Sequence, residues 1–236
     1  MAVLEKDRRA GVDGESRLFT RDEYYKLGAI GILEANQELI HGVVMVKGTA
    51  KPRRWTCADF DKMAEAGILT QEERVELIDG EVIALPPMGP EHIVAMSRLT
   101  RALILLENAF GREYRVMPES PIPVMSDFKP QADIVVAKGL LEEFEVRGVT
   151  ASDVCLAVEI SNTSLASDRR RKFQLYAQAG IPEYWIINLQ SRVLEVYREP
   201  SDSGYAAALT YKSGDVVEAL FAPSVPIKVS DFLPPR

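Results

Sequence analysis

Gln131-Ala132-Asp133-Ile134-Val135-Val136 is a short apolar strand with a carboxylate at a buried position, and Leu156-Ala157-Val158-Glu159-Ile160 is a second. Carboxylates are rarely placed there without a partner, because desolvating one costs several kcal/mol. Side chains alternate along a strand, so Asp133 shares a face with Gln131 and Val135, and Glu159 shares one with Cys155 and Ala157. If the two strands are neighbours in register, both carboxylates project toward one point. A divalent ion or a nearby ammonium would then keep both ionised. Mg²⁺ suits such a pair, since it prefers oxygen ligands and commonly takes only one or two carboxylates plus waters. Metal-assisted phosphodiester chemistry is the expectation.

Lys172 follows Glu159 on a polar helical segment. At regular helical spacing Asp168, Lys172 and Tyr176 share a face, which would let the lysine lean over the metal site and steady a hydroxide or phosphate charge. The plainer alternative is a surface pair between Asp168 and Lys172, worth about a few tenths of a kcal/mol. Glu76 is a third candidate carboxylate. If Asp79-Gly80 makes a two-residue turn, Glu76, Ile78, Glu81 and Ile83 lie on one hairpin face. His92, early in a helical run, is a candidate for orienting substrate or shuttling a proton, against the plainer reading of a helix-surface histidine.

The bulk numbers narrow the alternatives. In 236 residues, Cys57 and Cys155 are the only cysteines and His41 and His92 the only histidines, so a disulfide framework and a zinc site of thiolates or imidazoles are both disfavoured. Cys155, inside an apolar strand, is expected to be buried. The net charge of −7 argues against a constitutive high-affinity nucleic-acid binder. It leaves room for a local basic patch, and Arg169 and Arg170 are candidates for contacting phosphates. No run approaches the roughly 20 apolar residues of a membrane span, and the charged start Met1–Arg9 lacks an apolar signal core, so a soluble, cytoplasmic protein is expected.

The chain also repeats itself. Thr20-Arg21-Asp22-Glu23 through Gly31-Ile32-Leu33 matches Thr56-Cys57-Ala58-Asp59 through Gly67-Ile68-Leu69, and Glu38-Leu39-Ile40-His41-Gly42-Val43-Val44 matches Glu76-Leu77-Ile78-Asp79-Gly80-Glu81-Val82. Each copy reads as a helix opened by a threonine cap, then a hairpin turning at His41-Gly42 or Asp79-Gly80. The reading divides the chain into an extension over 1–54 and a main domain over 55–236. In the latter, Glu91 to Phe110 is a long helix, Asp168 to Ala179 a helix ended by Gly180, and Tyr205 to Leu220 a late hairpin.

The run Glu73-Arg74-Val75-Glu76-Leu77-Ile78-Asp79-Gly80-Glu81-Val82, then His92, Pro130-Gln131-Ala132-Asp133, Val158-Glu159-Ile160-Ser161, Asp168 with Lys172 and Tyr176, and Gly180-Ile181-Pro182-Glu183-Tyr184-Trp185 together resemble the Uma2 family of the PD-(D/E)XK, restriction-endonuclease-like superfamily. The resemblance implies an α/β fold with a central mixed sheet flanked by helices, and Mg²⁺- or Mn²⁺-dependent cleavage of DNA, with RNA left open as a substrate. It assigns the metal to Asp133 and Glu159 with the additional glutamate Glu76. Ser161 stands where the superfamily places its lysine, and Lys172 is the candidate replacement. A homodimer would let two sites reach both strands. The alternatives are a catalytically silent member that binds nucleic acid or protein, and a hydrolase of another phosphoester.

Overall fold

The computed structural model describes residues 14–70, 72–111 and 113–233, so the charged start read at Met1–Arg9 lies outside the described residues. The chain forms two compact units. One comprises Gly14–Pro87 with Met125–Pro130, and the larger one contains Met88–Val124 and the chain from Gln131 onward.

The smaller unit contains β1 (Glu15–Ser16), α1 (Arg21–Ala29), β2 (Gln37–Ile40), β3 (Val43–Val46), α2 (Cys57–Glu65), β4 (Val75–Ile78) and β5 (Glu81–Ala84). Both helices begin at a threonine whose hydroxyl accepts from the third helical N–H, while the acid at that position, Glu23 or Asp59, accepts from the threonine N–H. These reciprocal bonds satisfy donors that a helix start otherwise leaves unpaired. Both hairpins turn in the left-handed region, with φ 48° and 82° at His41-Gly42 and 51° and 67° at Asp79-Gly80. Two consecutive residues of that conformation make the tight turn whose twist matches paired strands. The β4–β5 register sets Glu76 opposite Ile83 and Ile78 opposite Glu81, the face expected from sequence. Phe19, Leu27, Val44, Trp55, Met63, Leu77 and Val82 share one core, so both copies of the repeat pack together within this unit, on either side of residue 54.

In the larger unit a six-stranded mixed sheet runs β6 (Tyr114–Pro121), β7 (Gln131–Lys138), β8 (Val154–Ser161), β9 (Glu183–Asn188), β10 (Val193–Ser201) and β11 (Gly204–Tyr211), each strand beside the next. Only β8 and β9 are parallel. A parallel step needs a crossover, and here it is α5 (Leu165–Ser167), a wide π-helical turn (Asp168–Lys172) and α6 (Phe173–Gln178). Tyr176 and Ala177 on the crossover pack with Val135, Ala157, Tyr184 and Ile186 on one sheet face. On the opposite face Ala95, Leu99 and Leu103 of α3 (Pro90–Phe110) pack against Ile134, Val158 and Trp185. With both faces covered, β7, β8 and β9 are apolar along nearly their whole length, as a central strand must be. A shorter α4 (Leu141–Arg147) links β7 to β8.

Two expectations need correction. Residues 205–211 do not fold back on 216–220; they pair with β10, while β12 (Val216–Val217) pairs with β13 (Ile227–Lys228). Cys155 is half-buried and not enclosed, because it sits at the start of β8, where the ladder to β7 shifts register between Val136 and Ala137. No helix among the described residues is long and apolar enough to cross a membrane.

Candidate functional site

Strands β7 and β8 are antiparallel neighbours, with Ile134 opposite Val158. Asp133 and Glu159 are the next residues beyond this pair, so by alternation the two carboxylates emerge on the same side of the sheet. Both are buried, at 6% and 4% exposure.

Each carboxylate is held at both oxygens. Asp133 Oδ2 accepts the backbone N–H of Ile160 at 2.7 Å, and Asp133 Oδ1 lies 3.0 Å from His92 Nε2. Glu159 Oε1 accepts the hydroxyl of Tyr176 at 2.8 Å, and Glu159 Oε2 pairs with the Lys172 ammonium at 3.0 Å. Lys172 Nζ also lies 3.4 Å from the carbonyl oxygen of Gln131, on the strand that carries Asp133. His92, Asp133, Glu159 and Lys172 are therefore brought together from a helix N-terminus, two strands and the crossover.

The π-helical turn determines how Lys172 arrives. The Phe173 N–H reaches back five residues to the carbonyl of Asp168, so the turn is wider than an α-helical one. Asp168, at the head of the turn, is buried and accepts from Ser161 Oγ at 2.5 Å and Ser164 Oγ at 2.7 Å. Burial raises its pKa, although the Lys172 charge and the two serine hydroxyls act in the other direction. Asp168 and Lys172 are thus not a solvated surface pair: the acid anchors the turn and the ammonium faces Glu159. Ser161 ties β8 to this anchor.

The remaining candidates lie elsewhere. Arg169 is forked onto Glu195, with Nε at 2.9 Å and Nη2 at 2.6 Å, which commits two of its donors within the protein while its side chain stays 48% exposed. Burial acts to raise the Glu195 pKa, but the Arg169 fork, the Tyr197 hydroxyl and the Asn188 amide outweigh it and hold the carboxyl below its usual range. Arg170 is exposed beside it. Glu76 is buried in β4 of the smaller unit. Sequence reasoning did not single out Glu195 or Glu183. The latter is fully buried and accepts from Trp185 Nε1, the Arg198 guanidinium and the Leu220 N–H. Each closes a network on its own, the usual way a buried acid is accommodated.

The donor set suits a hard cation. Among the described residues no group of three or more His, Cys, Asp or Glu side chains is arranged to hold a metal. Mg²⁺ does not require one, since two carboxylates with water and substrate oxygens suffice. An ionised carboxylate has about four lone-pair sites, so Asp133 and Glu159 keep acceptor capacity beyond their present bonds. The residues fit the ion that the sequence reading expects.

The model of the protein family Uma2, described as "Putative restriction endonuclease", matches residues 57–230. Among solved structures, a crystal structure described as that of a "putative nuclease belonging to DUF820" from Anabaena variabilis ATCC 29413 is 17% identical, with a TM-score of 0.58, covering 75% of this chain and 97% of that chain. A likeness at that identity establishes the fold alone. No curated protein matches the chain.

Proposed function

The chain belongs to the Uma2 family, and from that premise we propose that its larger unit is a divalent-metal-dependent nuclease that hydrolyses DNA phosphodiester bonds. The observation that carries this reading is that Asp133 and Glu159 flank the paired Ile134 and Val158 on adjacent strands, with the Lys172 ammonium 3.0 Å from Glu159. Asp133 and Glu159 would hold Mg²⁺ or Mn²⁺. The bound ion supplies Lewis acidity toward a phosphate oxygen and a water of lowered pKa.

The chain's own residues do the rest. The Ile160 N–H and His92 fix the Asp133 carboxylate from two sides, and Tyr176 and Lys172 do the same for Glu159. Held in this way, the acids need no reorganisation when substrate arrives. Lys172 Nζ lies against Glu159 and the Gln131 carbonyl, where its charge offsets negative charge on an attacking hydroxide or on the phosphate. Arg170, with the exposed Arg169 beside it, would touch the DNA backbone.

Incubating the protein with supercoiled and linear DNA in Mg²⁺, Mn²⁺ or EDTA tests the reading, alongside Asp133→Ala and Lys172→Ala. Metal-dependent nicking in the parent and large losses in both variants are expected. Unchanged nicking by Asp133→Ala refutes the assignment. DNA retention without cleavage in any metal identifies a silent binding member of the fold.

A further inference from the structure

The smaller unit repeats in space what the sequence repeats along the chain. Arg17, Phe19, Thr20 and Glu23 of the first copy correspond to Arg53, Trp55, Thr56 and Asp59 of the second. Each aromatic residue bonds to the hairpin of its own copy, the Phe19 N–H to Gly42 O at 2.7 Å and the Trp55 N–H to Gly80 O at 2.8 Å. The arginines cross over. The Arg17 N–H bonds to Val82 O at 2.8 Å, and the Arg53 N–H to Val44 O at 2.7 Å.

Their guanidinium groups cross in the same way. Arg17 Nη2 donates to Ile68 O at 3.0 Å and the group pairs with Glu73, while Arg53 Nη2 donates to Ile32 O at 3.4 Å and the group pairs with Glu34. Each also holds the helix-capping acid of its own copy, Glu23 or Asp59. Phe19 and Trp55, equivalent positions, meet with ring centroids 5.8 Å apart. Reciprocal contacts, with equivalent residues touching one another, characterise a two-fold interface between like subunits. Here both halves are in one chain, and the family match begins at Cys57, leaving the first copy outside it.

We propose that the smaller unit is an internal dimer, in which residues 15–46 occupy the place of a second molecule's 52–84 segment, and that two copies of this chain can complete it in trans by exchanging their first copies. The partner surface is therefore another such helix-hairpin: an aromatic at the axis, an arginine reaching across, and a strand edge that accepts the crossing N–H. The proposal does not depend on the nuclease reading. The connection between the halves sets the choice between cis and trans. Met45 pairs with Pro52, and the Val46 N–H bonds to Lys51 O at 3.0 Å, so the chain reverses within the few residues between them.

Deleting Gly48–Ala50 from the full chain removes that reversal. The expected product has twice the parent's mass by light scattering, with each first copy docked on the other molecule. In a second experiment the full chain carries a protease site in the same turn and is cleaved after folding. Light and heavy isotopic forms are then unfolded together, refolded and weighed by native mass spectrometry. Mixed complexes in which the first copy of one form sits on the remainder of the other are expected. A shortened chain that folds and keeps the parent's mass, or a cleaved first copy that does not rebind, overturns the proposal.

Discussion

Lys172 reaches Glu159 from a helix that crosses over the strand pair, and both side chains are nearly closed to solvent, at 12% and 5% exposure with 3.0 Å between Nζ and Oε2. A buried acid that loses its cation keeps its desolvation cost and loses its compensation. Lys172→Met should therefore lower stability by about 3 kcal/mol, in the range for breaking a buried pair. It should also reduce metal-dependent nicking by about 100-fold or more, the scale for a removed electrostatic stabiliser. Urea unfolding checks the first figure and a plasmid assay the second. Pairing Lys172→Met with Glu159→Gln should recover stability but not activity, which separates the two roles.

Tyr176 touches Glu159 through one hydroxyl, buried and 2.8 Å from Oε1. Tyr176→Phe keeps the ring packing against Tyr184 and removes only that donor. A partner that orients a metal-binding carboxylate typically matters by about 10- to 100-fold in metal affinity or activity. The expected result is Mn²⁺ binding weakened by about 10-fold in a direct titration, with the far-ultraviolet spectrum unchanged. Unaltered Mn²⁺ affinity would show that Glu159 needs no second donor for its orientation.

The parts of this arrangement legible in the sequence are those set by short-range rules. Alternation along Gln131–Val136 and Leu156–Ile160 gave the common face of Asp133 and Glu159, and the His41-Gly42 and Asp79-Gly80 pairs gave the turns and hence the β4–β5 register. What escaped depends on tertiary choices. Regular four-residue spacing could not reveal that 168–172 widens into a π-helical turn, whose first residue, Asp168, is bonded to Ser161 and Ser164 from outside the turn. Nor does a run of three arginines announce that one of them is taken by Glu195, on a strand 26 residues later. Met125–Pro130 likewise joins the smaller unit through bonds between Leu77 and Lys129, a pairing with no local signal.

Two aspartates of the larger unit should respond to pH with opposite sign. Asp153 is held at about 2 by the Arg147 fork and the Thr150 donors, below the usual 3.8. The stability it contributes is present above about pH 4 and lost as pH falls toward 2. Asp168 is raised above 3.8 by burial, so its contribution is full below that value and lost as pH rises through its native pKa. Urea midpoints measured from pH 2 to 7 check both. Asp153→Asn should flatten the acid limb, and Asp168→Asn should gain on the parent as pH rises. A parent-minus-variant difference that is constant with pH would contradict either assignment.

The hairpin turns carry a backbone cost that substitutions can expose. Gly80 has φ of 67°, and a Cβ there would lie 3.0 Å from Arg54 Cβ, so Gly80→Ala meets both left-handed strain and a close neighbour. A loss of about 1 to 2 kcal/mol is expected from the conformation alone. His41 sits in the equivalent first turn position with φ of 48°, where asparagine is better accommodated than most side chains. His41→Asn should therefore raise the melting temperature slightly. Because the two turns are related by the repeat, Asp79→Asn serves as the matched control: aspartate already tolerates this geometry, so its effect should be smaller than that of His41→Asn. A clear loss for Asp79→Asn would instead report the carboxylate that pairs with Arg54, which only that substitution removes.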